Sequence, residues 1–240
     1  MNILIPMAGR GERFTNSGFE IPKPLIEING KCMIECAIDS LNIIDGNLIF
    51  ITYKYADENF NQKLKSILER YSNNIIQIDY ITEGPASSAL LAKEFINNEE
   101  QLIITNCDQI MNWNSKDFIK YCEISDKDGI VVTYDSDTEK NSYIKLDEFG
   151  NGVELAEKKV ISNLSLNGIH YWKRGKYFVE SAEKMISKEI RANGEFYIST
   201  SYNEMIETGL KVGNYHINES NHFAVGTPND LQKYLEKLSY

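Results

Sequence analysis

The sequence predicts an α/β fold, with a mostly parallel sheet flanked by helices and a mixed sheet in the second half. Three features lead there. Short apolar runs alternate with amphipathic stretches of helical period through about residue 128, the pattern of strand–helix crossovers in a parallel sheet. From about residue 129 the pattern shortens to extended segments joined by tight turns, as in antiparallel pairs. A glycine-bearing turn directly follows the first apolar run. With 240 residues the chain can form one sizeable domain with a full core. Residues 1–240 are therefore read as a single domain in two halves, about 1–128 and about 129–240.

Residues 1–5, Met-Asn-Ile-Leu-Ile, read as a buried first strand. Residues 25–28 form a short extended piece ending at the turn Asn29-Gly30. Residues 31–44 are helix-like, with Met33, Ala37, Ile38 and Leu41 on one face. A second strand covers 47–53, an amphipathic helix built on Phe60, Leu64, Ile67 and Leu68 covers 57–71, and a third strand covers 75–81. A helix over 87–96 and a fourth strand over 101–105 complete the alternation. A helix from 115 to about 123 leads to a strand at 129–134. Residues 142–147 and 153–156 flank Gly150-Asn151-Gly152 as an antiparallel hairpin. Strand 165–172, helices 176–188 and 196–208, a late strand 211–217 and a closing helix 228–238 follow, with Pro228 near the last helix's start. In parallel sheets the ligand lies beyond the carboxyl ends of the strands. That rule puts residues 8–13, 83–88 and 106–109 on one rim.

A net charge of −10 argues against a nucleic-acid or anionic-membrane surface, where a basic face is expected. No apolar run approaches the roughly 20 residues that span a bilayer, and no signal-peptide core or cleavage site is visible. The expected location is the cytoplasm, with no nucleic-acid or membrane partner; a homo-oligomer is compatible with the sequence. There the four cysteines, Cys32, Cys36, Cys107 and Cys122, should be reduced. Cys32 and Cys36 lie four apart, but no second pair or nearby histidine completes a zinc site. His170, His216 and His222 are scattered, with no nucleophile–base arrangement among them.

The chemistry concentrates in Pro6-Met7-Ala8-Gly9-Arg10-Gly11-Glu12-Arg13-Phe14 and in Pro22-Lys23-Pro24-Leu25. Gly9 and Gly11 allow a sharp turn and close approach of a ligand to the backbone. Turned amides make a concave anion site, and Arg10, Arg13 and Lys23 add positive charge to it. Lys23 stands between two prolines, which restrict the backbone around it. A Walker A loop is absent. The dinucleotide fingerprint fails because Phe14 stands where its third glycine is needed. The arrangement fits a loop around a polyphosphate; a plain glycine turn with solvated arginines is the alternative.

At these residues the sequence resembles the sugar-phosphate nucleotidylyltransferases, also called nucleotide-sugar pyrophosphorylases. Their signature is a first strand, then Ala-Gly-Gly-x-Gly-Thr-Arg-Leu/Phe, then a Pro-Lys-Pro-Leu-type segment. Here Arg10 replaces the middle glycine and Glu12 the threonine. The resemblance continues to the C-terminus. It implies a Rossmann-like nucleotide-diphospho-sugar transferase fold, with a nucleotide-binding first half and an acceptor-binding second half.

The resemblance assigns roles. Met7, Ala8, Gly9, Arg10 and Gly11 would bind the nucleotide, with Arg13 and Lys23 catalytic through the phosphates. Glu83, Ser87 and Ser88 fall where the family reads base and ribose. A carboxylate only accepts hydrogen bonds, which suits the amino group of cytosine; CTP is favoured, with GTP, dTTP and UTP open, and a solvated loop acid is the alternative reading of Glu83. Asp108, at a strand end, would hold Mg²⁺, a cation that takes one or two carboxylates plus phosphate oxygens; a helix-cap or turn aspartate is the alternative. The family's usual second metal aspartate falls on Ala224, two residues before Gly226-Thr227, a departure from the pattern. Glu157 and Lys158 match the family's Val-x-Glu-Lys-Pro segment, with Lys159 in place of proline, and Asn167, Gly168, Glu195 and Tyr197 fall at acceptor-contacting positions. Without the family, Glu157-Lys158-Lys159 reads as a surface charge run.

The implied reaction moves a nucleotidyl group from a nucleoside triphosphate to a sugar or polyol phosphate, releases pyrophosphate, and makes an activated donor for surface polysaccharide. The nucleophile, a phosphate monoester with a second pKa of roughly 6, needs no general base. Two rivals stay open. A glycosyltransferase of the related fold would want Asp-x-Asp at a strand end, and Asp135-Ser136-Asp137 follows one. A non-catalytic nucleotide- or sugar-phosphate-binding regulator is the other, motivated by Ala224.

Overall fold

The computed structural model describes residues 1–43 and 45–238. In chain order the elements are β1 (Asn2–Met7), α1 (Glu12–Thr15), a 3₁₀ turn (Lys23–Leu25), β2 (Glu27–Ile28), β3 (Lys31–Cys32), α2 (Met33–Leu41), β4 (Asn47–Tyr53), α3 (Glu58–Leu68) and β5 (Ile75–Ile78). Then come α4 (Pro85–Leu90), α5 (Lys93–Ile96), β6 (Leu102–Ile104), β7 (Gln109–Met111), α6 (Ser115–Ile124), β8 (Gly129–Asp135), β9 (Ser142–Leu146), β10 (Gly152–Glu157) and β11 (Leu164–Trp172). The chain closes with α7 (Gly175–Ser187), α8 (Ile198–Glu207), β12 (Val212–His216), β13 (His222–Ala224) and α9 (Pro228–Leu238).

A nine-stranded sheet carries the fold, with β1 pairing β4 and β6, and β4 pairing β5, all parallel. β1 is buried on both faces, Leu4 in one core cluster and Ile3 and Ile5 in two others, as a parallel strand covered by helices on both sides must be. The antiparallel half begins where β11 lies against β6 and continues through β8, β9 and β10, with β12 parallel to β8. From β1 the chain builds outward to β4 and β5, then returns to place β6 on the other side of β1. That reversal opens a crevice at the carboxyl ends of β1 and β6.

The expected elements are present, with informative differences. The helix expected over 87–96 is two pieces, because Leu91 N and Ala92 N bond the carbonyls of Ser88 and Ala89 (3.1 Å each), three residues back, and the α ladder is interrupted there. It also starts earlier, with Pro85 at its first turn. The strand expected over 75–81 stops at Ile78, and Ile81 lines a cleft. The expected helix over 31–44 starts after a hairpin of β2 and β3, and its last position, residue 44, lies outside the described residues. The sheet of β7 and β13 was not foreshadowed by any alternating pattern.

Candidate active site

The crevice is a cleft of about 330 Å³ lined by the end of β1, the turn after it, Lys23, residues around Thr82–Ser88, and Asn106 to Asp108. Met7 and Ala8 are buried at its wall. No atom stands within 4 Å of where a Cβ on Gly9 would be, so the chain there is bare toward open space. Gly11 has φ 65° and caps α1, and a Cβ on it would sit 3.1 Å from Lys23 Cβ. Phe14 is buried with Ile26, Met33, Val225 and Leu231, and meets Phe19 edge-on at 5.1 Å. An aromatic anchor thus fixes α1 where a dinucleotide fold needs a glycine. Arg10 and Arg13 are exposed, Arg10 beside Glu12 at 3.7 Å, and neither lines the cleft. Arg13 is still near enough for its charge to act on Lys23.

Pro22 and Pro24 hold Lys23 in a 3₁₀ turn, closed by Leu25 N donating to Pro22 O at 2.8 Å. Its ammonium forms an ion pair and hydrogen bond with Asp108 Oδ2. Burial works to lower the Lys23 pKa, but Asp108 and Cys107 outweigh it, and the ammonium sits above its ordinary value. The Cys107 thiol is pushed up to about 11 by burial, so it is an inert neighbour rather than a nucleophile. Asp108 is held by its own backbone: Val225 N donates to its carbonyl at 2.9 Å. Gly226 packs so close that a Cβ there would lie 2.3 Å from Asp108 Oδ2.

Across the β7–β13 pair, Ala224 stands opposite Gln109, one residue from Asp108. The position of the family's second carboxylate is therefore next to the first, and here it is a methyl group. Among the described residues no cluster of three or more His, Cys, Asp or Glu is disposed to hold a metal. A single carboxylate facing an open cleft fits Mg²⁺ completed by phosphate oxygens and water. It does not fit a cation held by protein ligands alone.

The segment around Glu83 is shaped by Gly84, whose φ is 135° and whose Cβ would lie 2.5 Å from Phe196 N. Thr82 Oγ1 and Ser88 Oγ share a hydrogen bond of 2.5 Å, and both line the cleft; Ser87 is half-buried and does not line it. The Glu83 carboxylate is turned out of the cleft lining onto Arg191, with which it forms an ion pair. Arg191 in turn donates to Gly194 O at 3.1 Å and Glu189 Oε2 at 2.8 Å, and lies 3.9 Å over the Phe196 ring.

Glu157, Lys158 and Tyr197 lie outside the cleft lining. Glu157 accepts from Ser142 Oγ and from Ser199 Oγ, the latter at 2.9 Å. Burial pushes its carboxyl up, and the two hydroxyls offset that only in part. Lys158 takes φ 53°, fixed by its N–H on Asn141 O at 2.9 Å. Its ammonium reaches Tyr197 Oη at 2.8 Å, and that bond holds its pKa up. The supposed charge run therefore divides: Glu157 is half-buried, and of the two exposed lysines Lys158 is placed on Tyr197 while Lys159 has no such contact. Glu195 lines the cleft. Asn167 does not: it is buried, donating to Met111 Sδ at 3.6 Å and accepting from Ile169 N at 3.0 Å. The cause is a bulge in β11 between Leu166 and His170, which turns Gly168 (φ 99°) against Asn106 instead. Asp135 is engaged away from the cleft by Asn163 at 2.8 Å and by His216 at 3.5 Å. Asn106 lines the cleft, on the rim where the strand-end rule put it, whereas Arg191 and Thr82 are rim and cleft residues that pattern reading missed. For Arg191 the available signal was Asn193-Gly194, which forms a two-residue turn with φ 49° and 83°, the I′ geometry such a pair favours.

The family model described as Nucleotidyl transferase matches residues 3–239. The bifunctional protein GlmU of Methanocaldococcus jannaschii is 26% identical over 224 residues, 90% of this chain and 50% of that protein. The chain spans about half the length of that curated relative. Among solved structures, the nucleoside-diphosphate-sugar pyrophosphorylase of Vibrio cholerae RC9 superposes with TM-score 0.84 at 23% identity, covering 98% of this chain and 99% of that one. The inositol-1-phosphate CTP transferase of T. maritima gives TM-score 0.77 at 14% identity, covering 99% and 94%. Both share the fold.

Proposed function

The chain belongs to the nucleotidyl transferase family, and from that premise we propose that it transfers a nucleotidyl group from a nucleoside triphosphate to a sugar or polyol phosphate. Pyrophosphate leaves, and the product is an activated donor of the kind used in surface polysaccharide synthesis. One observation carries the reading: Lys23 and Asp108, a fixed cation and a carboxylate, meet in the cleft at the sheet's switch point.

The acceptor phosphate attacks the α-phosphorus in line, and the main obstacle is the approach of two anions. Positioning and charge neutralisation are then the catalytic means. Gly9 and Gly11 leave the turn bare for phosphate oxygens, Lys23 takes the α-phosphate, and Arg13 the β- and γ-phosphates. Asp108 would hold Mg²⁺, which when bound neutralises phosphate charge. Lys158, presented by Tyr197, takes the acceptor phosphate; Glu157 and Glu195 accept from its hydroxyls.

CTP is the favoured donor. A structural neighbour is named as a CTP transferase; Glu83, paired with Arg191 outside the cleft lining, does not face a base seated there. The cytoplasm is the proposed location, since the four cysteines are free; no helix of the described residues is long and apolar enough to cross a membrane. The test is pyrophosphate release over a matrix of CTP, GTP, dTTP and UTP against phosphorylated sugars and polyols. Release with one pair supports the reading. Turnover of a nucleotide sugar would point to a glycosyltransferase, and binding without release to a regulator.

A further inference from the structure

Two loops from distant parts of the chain are bolted together at the cleft. Phe196 N donates to Glu83 O and Ala86 N donates to Phe196 O, both at 2.9 Å. Gly84 leaves no room between them: a Cβ would lie 2.5 Å from Phe196 N and 2.6 Å from its O. Arg191 locks this seam from outside. Its planar fork reaches Glu83, Gly194 O and Glu189 while its face covers the Phe196 ring. A guanidinium suits this task because it can stack and donate in several directions at once.

Both loops contribute to the cleft wall. Thr82 and Ser88 line it from one loop, and Glu195 from the other. Next to Glu195, Tyr197 carries Lys158. We propose that Arg191 is a positioning residue that makes these loops one body, so that a nucleotide seated against residues 82–88 also orders the acceptor side at 189–197. This rests on the function proposed above and adds to it a coupling between the subsites that involves no contact of Arg191 with either substrate. A merely structural Arg191 would stabilise the protein without transmitting anything.

Hydrogen–deuterium exchange on the whole chain separates these possibilities, with CTP, GTP, dTTP and UTP each added in turn with Mg²⁺. In the native protein the triphosphate that binds should slow exchange at residues 7–13, at 82–88 and also at 189–197. In Arg191→Ala, protection at 7–13 should persist while the added protection at 189–197 falls roughly fivefold or more, the lower range of typical coupling between sites. Arg191→Lys, which keeps the charge but not the fork, should fall between. If Arg191→Ala transmits protection as the native protein does, or if native protection stops at 82–88, the coupling role is overturned. If no triphosphate protects 7–13, the proposed function falls and the coupling with it. Unfolding midpoints of the variants distinguish lost transmission from lost fold.

Discussion

Lys23 and Asp108, 85 residues apart in sequence, are each other's partner in the cleft. Each is about one-fifth exposed, 21% and 20%, and each is the residue of its sign best placed to meet a phosphate or the cation that accompanies it. Their pairing lets each neutralise the other's charge. On the function proposed above, binding would exchange one ion pair for two new contacts, Lys23 with a phosphate and Asp108 with Mg²⁺.

Lys23→Ala should lower turnover by at least about a hundredfold, since a charge aimed at the transition state is worth roughly 3 kcal/mol or more. The unfolding midpoint should fall as well, because the pair is only about one-fifth exposed and the variant leaves Asp108 without its counter-charge. The check is steady-state kinetics beside a urea titration. Near-native turnover would remove Lys23 from the mechanism.

Asp108→Asn should raise the Mg²⁺ concentration needed for half-maximal activity sharply, because Ala224 supplies no second carboxylate. Ala224→Asp should act in the opposite sense and lower that concentration, by placing a second oxygen ligand beside the first. Mg²⁺ titrations of pyrophosphate release test both. An unchanged titration for Asp108→Asn would mean that another group holds the metal.

Much of this was legible because local signals and tertiary fate agree. Residues 47–53 and 228–238 form β4 and α9 with the expected bounds, since one is a continuous apolar run and the other a proline-started helix. The glycines, Lys23 and Asp108 announced themselves through turn chemistry and strand-end position. Their direct pairing did not, for nothing within either segment encodes a partner 85 residues away. The pairing of Arg191 with Glu83 was hidden for the same reason, 108 residues apart. Asn167 shows the converse: its position matched the family's spacing, but the bulge beside it turns the amide inward.

His170 sets an acid limit on stability. It is buried against Trp172 and Tyr202, its Nδ1 without a hydrogen-bond partner, and burial lowers its pKa to about 3. His222 is lowered to about 4 for the same reason. Unfolded, both take a proton near 6.5, so the unfolded chain binds more protons below that pH. Stability is complete above about 6.5 and is lost as pH falls toward the folded values. The loss should be on the order of 2 kcal/mol between about pH 7 and 5.5. Urea midpoints at the two pH values measure it, and His170→Leu should remove about half of the difference. A flat profile in the native protein would show that neither ring resists protonation in the fold.

Lys158→Ala should weaken the acceptor far more than the triphosphate. The lysine sits at the end of β10, turned by its positive φ, with its ammonium on Tyr197 Oη at 2.8 Å and 5.2 Å from the centre of that ring. These contacts hold the charge in one place on the proposed acceptor side, while the glycine turn follows β1. Removing a charge-assisted contact costs about 1.5–3 kcal/mol, roughly ten- to a hundredfold in affinity. Lys159 is the internal control: it carries the same charge one residue on and is also exposed, but it lacks the contact with Tyr197. Lys159→Ala should leave both KM values within about twofold, as expected for a solvated surface charge. Tyr197→Phe should fall between the two, because it frees the ammonium without removing it. KM for both substrates in the three variants decides the matter. Equal small changes in Lys158→Ala and Lys159→Ala would detach Lys158 from the acceptor and leave the nucleotide side of the site standing alone.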